Sequence, residues 1–288
     1  MRCRFPLLVR NKQGYLVHAP CGQCTACRIN QSRQWSSRIT HEQLKYGDKS
    51  SFLTLTYDDE HLPADCSVHK RELSLFIKRF RKALGTKKLR FFGCGEYGDK
   101  FGRPHYHVII FGVPVDSDVY GTRHVHYEKG RPLGWHCDFK CWPFGKTHIG
   151  TVTSDSANYC AGYVFKKIKG KKGQEYYSSL GIEPEFVLMS RRPGIGQDYV
   201  VSHSDYYRVH PYVTIKGVKY PLPRYYVDKA GVRYNKLEAL KVSKAEDKAL
   251  RDFCDEQGID FIRYVEDLAD RSEKELVTYR SLKHASKD

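Results

Sequence analysis

Two runs of strand-forming residues, Leu89 to Tyr97 and Pro104 to Phe111, are separated only by Gly98-Asp99-Lys100-Phe101-Gly102-Arg103. A connection that short cannot hold a crossover helix, so the two runs pair antiparallel. The chain is thereby restricted to folds built on an antiparallel sheet, with known side chains on each face. His105 and His107, one residue apart in the second run, leave the same face, and Glu96 in the first run lies across from them.

The flanking segments supply helices and one more strand. Thr25 to Tyr46 lacks Pro and Gly and carries Ile29, Trp35, Ile39 and Leu44 among Arg, Gln and Ser, which reads as a basic helix. Ser51 to Tyr57 alternates apolar residues with Ser and Thr, the period of a strand, and stops at the acidic turn Asp58-Asp59-Glu60-His61-Leu62-Pro63. Between Ser67 and Leu84 the residues Leu73, Phe76, Ile77, Phe80 and Leu84 form an apolar stripe with cationic residues elsewhere, and Gly85 follows as a stop. Thr153-Ser154-Asp155-Ser156 offers capping side chains before a helix carrying Tyr159 and Tyr163, and Lys166 to Lys172 gives that helix a cationic end.

Other stretches are less legible. Residues 113–150 hold many Pro and Gly breaks and read as a long insertion. Residues 174–235 show no sustained period and suggest loops and short strands, whereas 236–288 is helical in pattern. The expected organisation is a cysteine-bearing start and basic helix at 1–47, a core at 48–235 and a helical C-terminal extension at 236–288. The fold class is α+β, an antiparallel sheet with flanking helices.

A net charge of +16 in 288 residues, interleaved with 21 Tyr and 14 Phe, suits a surface that attracts phosphates and stacks on unpaired bases. A basic protein that is merely soluble would show the same charge. No stretch approaches the eighteen or so apolar residues of a membrane span, and the opening Phe5-Pro6-Leu7-Leu8-Val9 is too short for a secretory core. A cytosolic, reducing location is expected, with the ten cysteines serving as thiols or metal ligands rather than disulfides.

His105, His107 and Glu96 offer two nitrogens and one carboxylate, a mixed set that suits Mg²⁺ or Mn²⁺ with positions left open. Such a cation would stabilise charge growing on a phosphodiester under attack. His-x-His pairs on strands also occur as ordinary core or surface residues. Tyr159 and Tyr163, four apart, share a helix face, and Lys166 follows three residues later, where its ammonium could favour the phenolate. The alternative is that both tyrosines anchor the helix to the sheet. Asp58, Asp59 and His61 are alternatives to Glu96 as the third ligand.

The ordered set Phe52-Leu53-Thr54-Leu55-Thr56-Tyr57, Gly95-Glu96-Tyr97-Gly98, Pro104-His105-Tyr106-His107 and Tyr159-x3-Tyr163-x2-Lys166 resembles the motifs of HUH endonucleases that initiate rolling-circle replication. It is most similar to the replication initiators of the Microviridae, especially the gokushovirus branch, over roughly residues 20–170. The resemblance implies a ferredoxin-like or RNA-recognition-like core that nicks single-stranded DNA at a viral replication origin. It assigns Tyr159 and Tyr163 as the two nucleophiles, Lys166 as the motif lysine and His105 and His107 as metal ligands, with Glu96 the choice for the third. A 5′-phosphotyrosine adduct would form, a host polymerase would extend the free 3′ hydroxyl, and a later 3′ hydroxyl would displace the enzyme to rejoin the ends. The site of action would be the cytoplasm of an infected bacterium. The chain has no Gly-x4-Gly-Lys-Ser/Thr loop, so unwinding would fall to a host helicase.

Cys21-Gly22-Gln23-Cys24-Thr25-Ala26-Cys27 also looks like the cysteine cluster near the start of gokushovirus proteins. With Cys3 as a fourth ligand it could close a structural zinc site that pins the basic helix; unliganded cysteines are the alternative. Two other functions fit the same residues. One is a noncatalytic, zinc-supported single-stranded DNA binder, which needs aromatic rings but no particular hydroxyl. The other is an HUH transposase or relaxase relative acting on a different substrate.

Overall fold

The computed structural model describes residues 3, 5–10, 14, 16–98, 102–128, 130–166, 170–215, 217–232, 248, 251–260 and 263–264. They group into two units, one from 1–30 and 233–288 and the other from 31–232. In the first, β1 (Leu7–Arg10) and β2 (Leu16–Ala19) form a two-stranded antiparallel hairpin. Helix α1 (Thr25–Tyr46) runs across the boundary between the units. Of the expected C-terminal helical extension, 251–256 is helical, and most of the remainder lies outside the described residues.

The larger unit is built on β3 (Ser50–Thr56), β4 (Arg90–Tyr97), β5 (Pro104–Phe111), β6 (Arg123–Glu128), β7 (Arg131–Cys137), β8 (Thr147–Thr151) and β9 (Phe186–Met189). They form one seven-stranded sheet in the order β6-β7-β8-β3-β5-β4-β9, with every neighbouring pair antiparallel. The chain is therefore α+β, as the short β4–β5 connection requires. Glu96 pairs with His105 and Cys94 with His107, so Glu96 does share a face with both imidazoles.

Helix α2 (Lys70–Leu84) covers one face. Its buried Leu73, Phe76, Ile77 and Phe80 pack on Leu53, Leu55, Tyr106, Val108 and Ile110, the alternate residues of β3 and β5. Each such side chain contributes roughly 1.5–3 kcal/mol by leaving water. Gly85, at a positive φ of 64°, ends the helix where the stripe predicts. The opposite face, carrying Phe92, Ile109 and Phe111, receives Trp35 and Ile39 of α1 and Ala157, Cys160 and Ala161 of α3 (Ser154–Lys166). Polar ties fix α1 there. The Arg38 guanidinium lies between the rings of Trp35 and Tyr225 and donates to the Ile195 carbonyl, while buried Glu42 pairs with Arg90 and accepts the Gly196 N–H.

Two stretches carry more regular structure than their sequences suggest. Within 113–150, β6, β7 and β8 widen the sheet, and β8 pairs directly with β3. Histidines take the place of aliphatic residues on one face of these strands, and Gly134 interrupts β7, so the alternation is hidden. After α4 (Gly170–Leu180), the segment up to 232 folds as β9, α5 (Gln197–Ser202), α6 (Ser204–Val209), a hairpin of β10 (Tyr212–Ile215) and β11 (Val218–Pro221), and α7 (Arg224–Ala230). Helices of six or seven residues span fewer than two turns, too few to show a period. They close over a small core of Val200, Tyr207, Val213, Leu222 and Tyr226.

Candidate active site

Three ligand-type side chains converge where β4 meets β5. Glu96 Oε1 lies 2.8 Å from His105 Nε2 and 3.0 Å from His107 Nε2, and the two nitrogens are 3.1 Å apart. Cis ligands of an octahedral cation at about 2.1 Å lie about 3 Å from one another, which is this spacing. The second nitrogen of each ring is already held. His107 Nδ1 is 3.0 Å from the Thr54 hydroxyl, and His105 Nδ1 is 3.1 Å from the Arg103 carbonyl oxygen. A carbonyl only accepts, so His105 carries its proton on Nδ1. Its Nε2 then presents a lone pair to a carboxylate unless the ring is charged, and a cation among the three atoms removes that conflict.

The electrostatics agree with the geometry. Glu96 and His107 are buried, with 3% and 4% of their surface exposed. Burial pushes the Glu96 carboxyl up, but hydrogen bonds and charge from His105 and His107 more than offset it and hold the group at about 2. A buried anion with two imidazoles aimed at one point fits a divalent ion better than it fits a core. Asp58 and Asp59, the alternative ligands, are engaged elsewhere: Asp58 pairs with His61 at 2.7 Å and Asp59 with Arg103 at 2.7 Å. Among the described residues Glu96 is the acid that joins the histidines.

Helix α3 brings a tyrosine to this group. Its start is fixed by a reciprocal cap, with the Ser156 N–H donating to Thr153 Oγ1 at 3.2 Å and the Thr153 N–H donating to Ser156 Oγ at 2.6 Å. Buried Ala157, Cys160 and Ala161 press the helix onto the sheet, leaving Tyr159 38% exposed. The Tyr159 ring meets the His107 ring edge-on, with centroids 5.1 Å apart, and Phe52 stacks on His107 at 5.6 Å. Tyr163 and Lys166 occupy later positions of α3, and their side chains lie outside the described residues. Sequence patterns did not single out Thr54 or the Arg103 carbonyl; the position of Thr54 in the strand alternation was the available signal.

The four N-terminal cysteines also converge. Cys24 Sγ is 3.9 Å from Cys3 Sγ, Cys21 Sγ is 4.0 Å from Cys27 Sγ, and all four sulfurs lie within 4.8 Å of one another. Thiolates on one tetrahedral zinc at about 2.3 Å sit about 3.8 Å apart, so the set fits. Burial raises the Cys21 thiol, but the N–H groups of Cys24 and Gln23 outweigh it and bring it down to about 7, whereas burial pushes Cys27 up.

Among the described residues no helix is long and apolar enough to cross a membrane. The family model for Replication-associated protein ORF2 matches residues 50–168, which contain all the motifs above except the cysteines. Replication-associated protein VP4 of Bdellovibrio phage phiMH2K is 34% identical over 220 residues, 73% of this chain and 66% of that protein. Replication-associated protein ORF2 of Spiroplasma virus 4 is 32% identical over 229 residues, covering 74% and 68%, and Replication-associated protein ORF4 of Chlamydia phage 1 is 30% identical over 221 residues, covering 73% and 52%. The alignment thus spans just under two thirds of the Bdellovibrio phage protein. No solved structure matches the chain. The shared sequence, taken with the sheet and the motifs it carries, makes this chain a member of the replication-associated proteins of Microviridae-like phages.

Proposed function

We propose that the chain initiates phage DNA replication in the infected bacterium by nicking single-stranded origin DNA with a helix tyrosine. The observation that carries this reading is the edge-on packing of the Tyr159 ring against His107, inside a group able to hold a divalent cation. Glu96, His105 and His107 would hold Mg²⁺ or Mn²⁺, whose chemistry is to polarise a nonbridging phosphate oxygen and offset growing charge. The tyrosine oxygen forms the new bond to phosphorus, the bond to the 3′ oxygen breaks, and that oxygen leaves as a hydroxyl after taking up a proton. Lys166, three positions after Tyr163 on α3, favours the phenolate over the phenol. The 5′-phosphotyrosine keeps the energy of the broken bond, so a 3′ hydroxyl can later displace the tyrosine and rejoin the strand without ATP. A second tyrosine allows a further cut while the first remains linked to DNA.

The test is incubation with a labelled origin strand and Mn²⁺, followed by denaturing electrophoresis. A covalent protein–DNA band is expected. Retention of DNA that disappears under denaturation would instead make the chain a single-strand binder. Thr54→Val removes the hydroxyl that orients His107, and an outer-shell loss of this kind weakens metal binding by about 10- to 100-fold. A Mn²⁺ titration of nicking should show the half-saturating concentration rising while the metal-saturated rate falls less.

The cysteine group is proposed to hold structural zinc, apart from the chemistry. Cys24→Ser should lower zinc content by one equivalent and reduce the melting temperature of the zinc-loaded chain. An unchanged zinc content measured by plasma mass spectrometry would contradict it.

A further inference from the structure

Outside the groups above, the described residues hold a gathering of three histidines, and it lies on the strands that the sequence pattern conceals. His126 of β6, His136 of β7 and His148 of β8 touch one another across three neighbouring strands. Ring centroids are 4.4 Å apart for His126 and His136, 5.3 Å for His126 and His148, and 5.6 Å for His136 and His148. His136 Nε2 is 3.0 Å from His126 Nδ1.

The strand register puts all three on one face. His148 is paired directly with His136, and His126 is paired with Gly134, two residues before His136. Thr54 is the register partner of both His148 and His107, so the same face carries the Glu96, His105 and His107 group. From β5 to β8 is two strand spacings, about 10 Å, which makes the two gatherings separate.

Two local devices permit this meeting. Gly134, at φ 143°, leaves room that a side chain would fill: a Cβ there would come within 2.9 Å of the His148 ring and 2.5 Å of the Ile149 carbonyl oxygen. A register shift between His126 and Tyr127 breaks the β6–β7 ladder beside His126, and such bulges re-aim side chains.

We infer that His126, His136 and His148 form a second metal site, a three-imidazole centre for a transition ion of the zinc class. Zinc–nitrogen bonds of about 2.0–2.1 Å at tetrahedral angles place two bound nitrogens about 3.3 Å apart and their ring centroids about 5 Å apart, close to the separations found. The three nitrogens are not as tightly gathered as the ligands of the other two groups, so ion binding would draw the rings closer together. An all-imidazole set favours zinc, cobalt, nickel or copper, while the carboxylate-bearing group suits magnesium or manganese. The two sites on this face therefore take different ions. A bound zinc would cross-link β6, β7 and β8, and with three protein ligands its fourth position would be left to a water or another ligand.

The inference does not depend on the tyrosine chemistry, and its test reads metal rather than cleavage. The full-length chain is stripped with a chelator, reloaded with zinc in excess Mg²⁺, and its zinc counted by plasma mass spectrometry. His126→Gln and His136→Gln should each lose one equivalent, while His124→Gln on the same strand loses none. With cobalt(II), the parent should show nitrogen-site d–d bands in addition to the thiolate charge-transfer band of the cysteine group, and the His126→Gln variant should keep only the latter's spectrum. Circular dichroism of the metal-free variants confirms folding, and His126→Gln, on the edge strand, carries the test if His136→Gln does not fold. Equal zinc content in parent and folded variants would overturn the inference. So would a loss of metal-free stability without loss of zinc, since the rings would then be only a hydrogen-bonded pair and a neighbour.

Discussion

The double variant Tyr159→Phe/Tyr163→Phe should form no covalent DNA adduct, a fall on the order of 10⁴–10⁶ in rate, as for loss of a nucleophile in other covalent enzymes. Each single variant should retain partial nicking. The two positions are four residues apart on α3, one helical turn and about 6 Å along its axis, so loss of one nucleophile should leave the other able to act. Phenylalanine keeps the ring that packs on His107 and removes only the oxygen, so the fold and DNA affinity should survive. Labelled origin DNA on a denaturing gel reads the adduct, and a native gel reads binding. Undiminished adduct in the double variant would remove these tyrosines from the reaction.

The second large effect is expected at the metal group. His105→Ala should lower Mn²⁺-dependent nicking by about 10²–10³, the size of losing one preorganised charge-stabilising contact, and leave single-strand affinity within about twofold. His105 is the better choice for this test because His107 is more deeply buried and packs against Phe52 and Tyr159. Glu96→Gln, nearly isosteric, should act in the same direction by removing the buried negative charge. Parallel loss of nicking and binding, with a lowered melting temperature, would show that the group serves folding instead.

How much of this was legible in the sequence follows from the range over which each signal acts. The β4–β5 hairpin, the α2 stripe and the Gly85 stop are written in neighbouring residues, and the structure has them where the pattern puts them. Glu96, His105 and His107 were readable because a short hairpin fixes register. The partnership of Thr54 with His107 joins residues 53 apart: the alternation of β3 gives the face of Thr54, but nothing local gives its partner. The same holds for β8 beside β3 and for the histidines of β6, β7 and β8, whose polar strands hide the alternation that marks an apolar core. The short helices after Gln197 escape for the opposite reason: their burial is local, but each is too brief for a period to appear.

Joining of DNA to α3 is tested most directly by mass spectrometry of the covalent product. Trypsin releases both tyrosines on one peptide, 147–166, because no Lys or Arg lies between Lys146 and Lys166. Fragmentation of the nuclease-trimmed adduct should place the nucleotide phosphate on Tyr159 or Tyr163, with the unmodified parent peptide correspondingly depleted. A phosphate on any other residue, or nicked origin DNA with no linked peptide, would contradict the account.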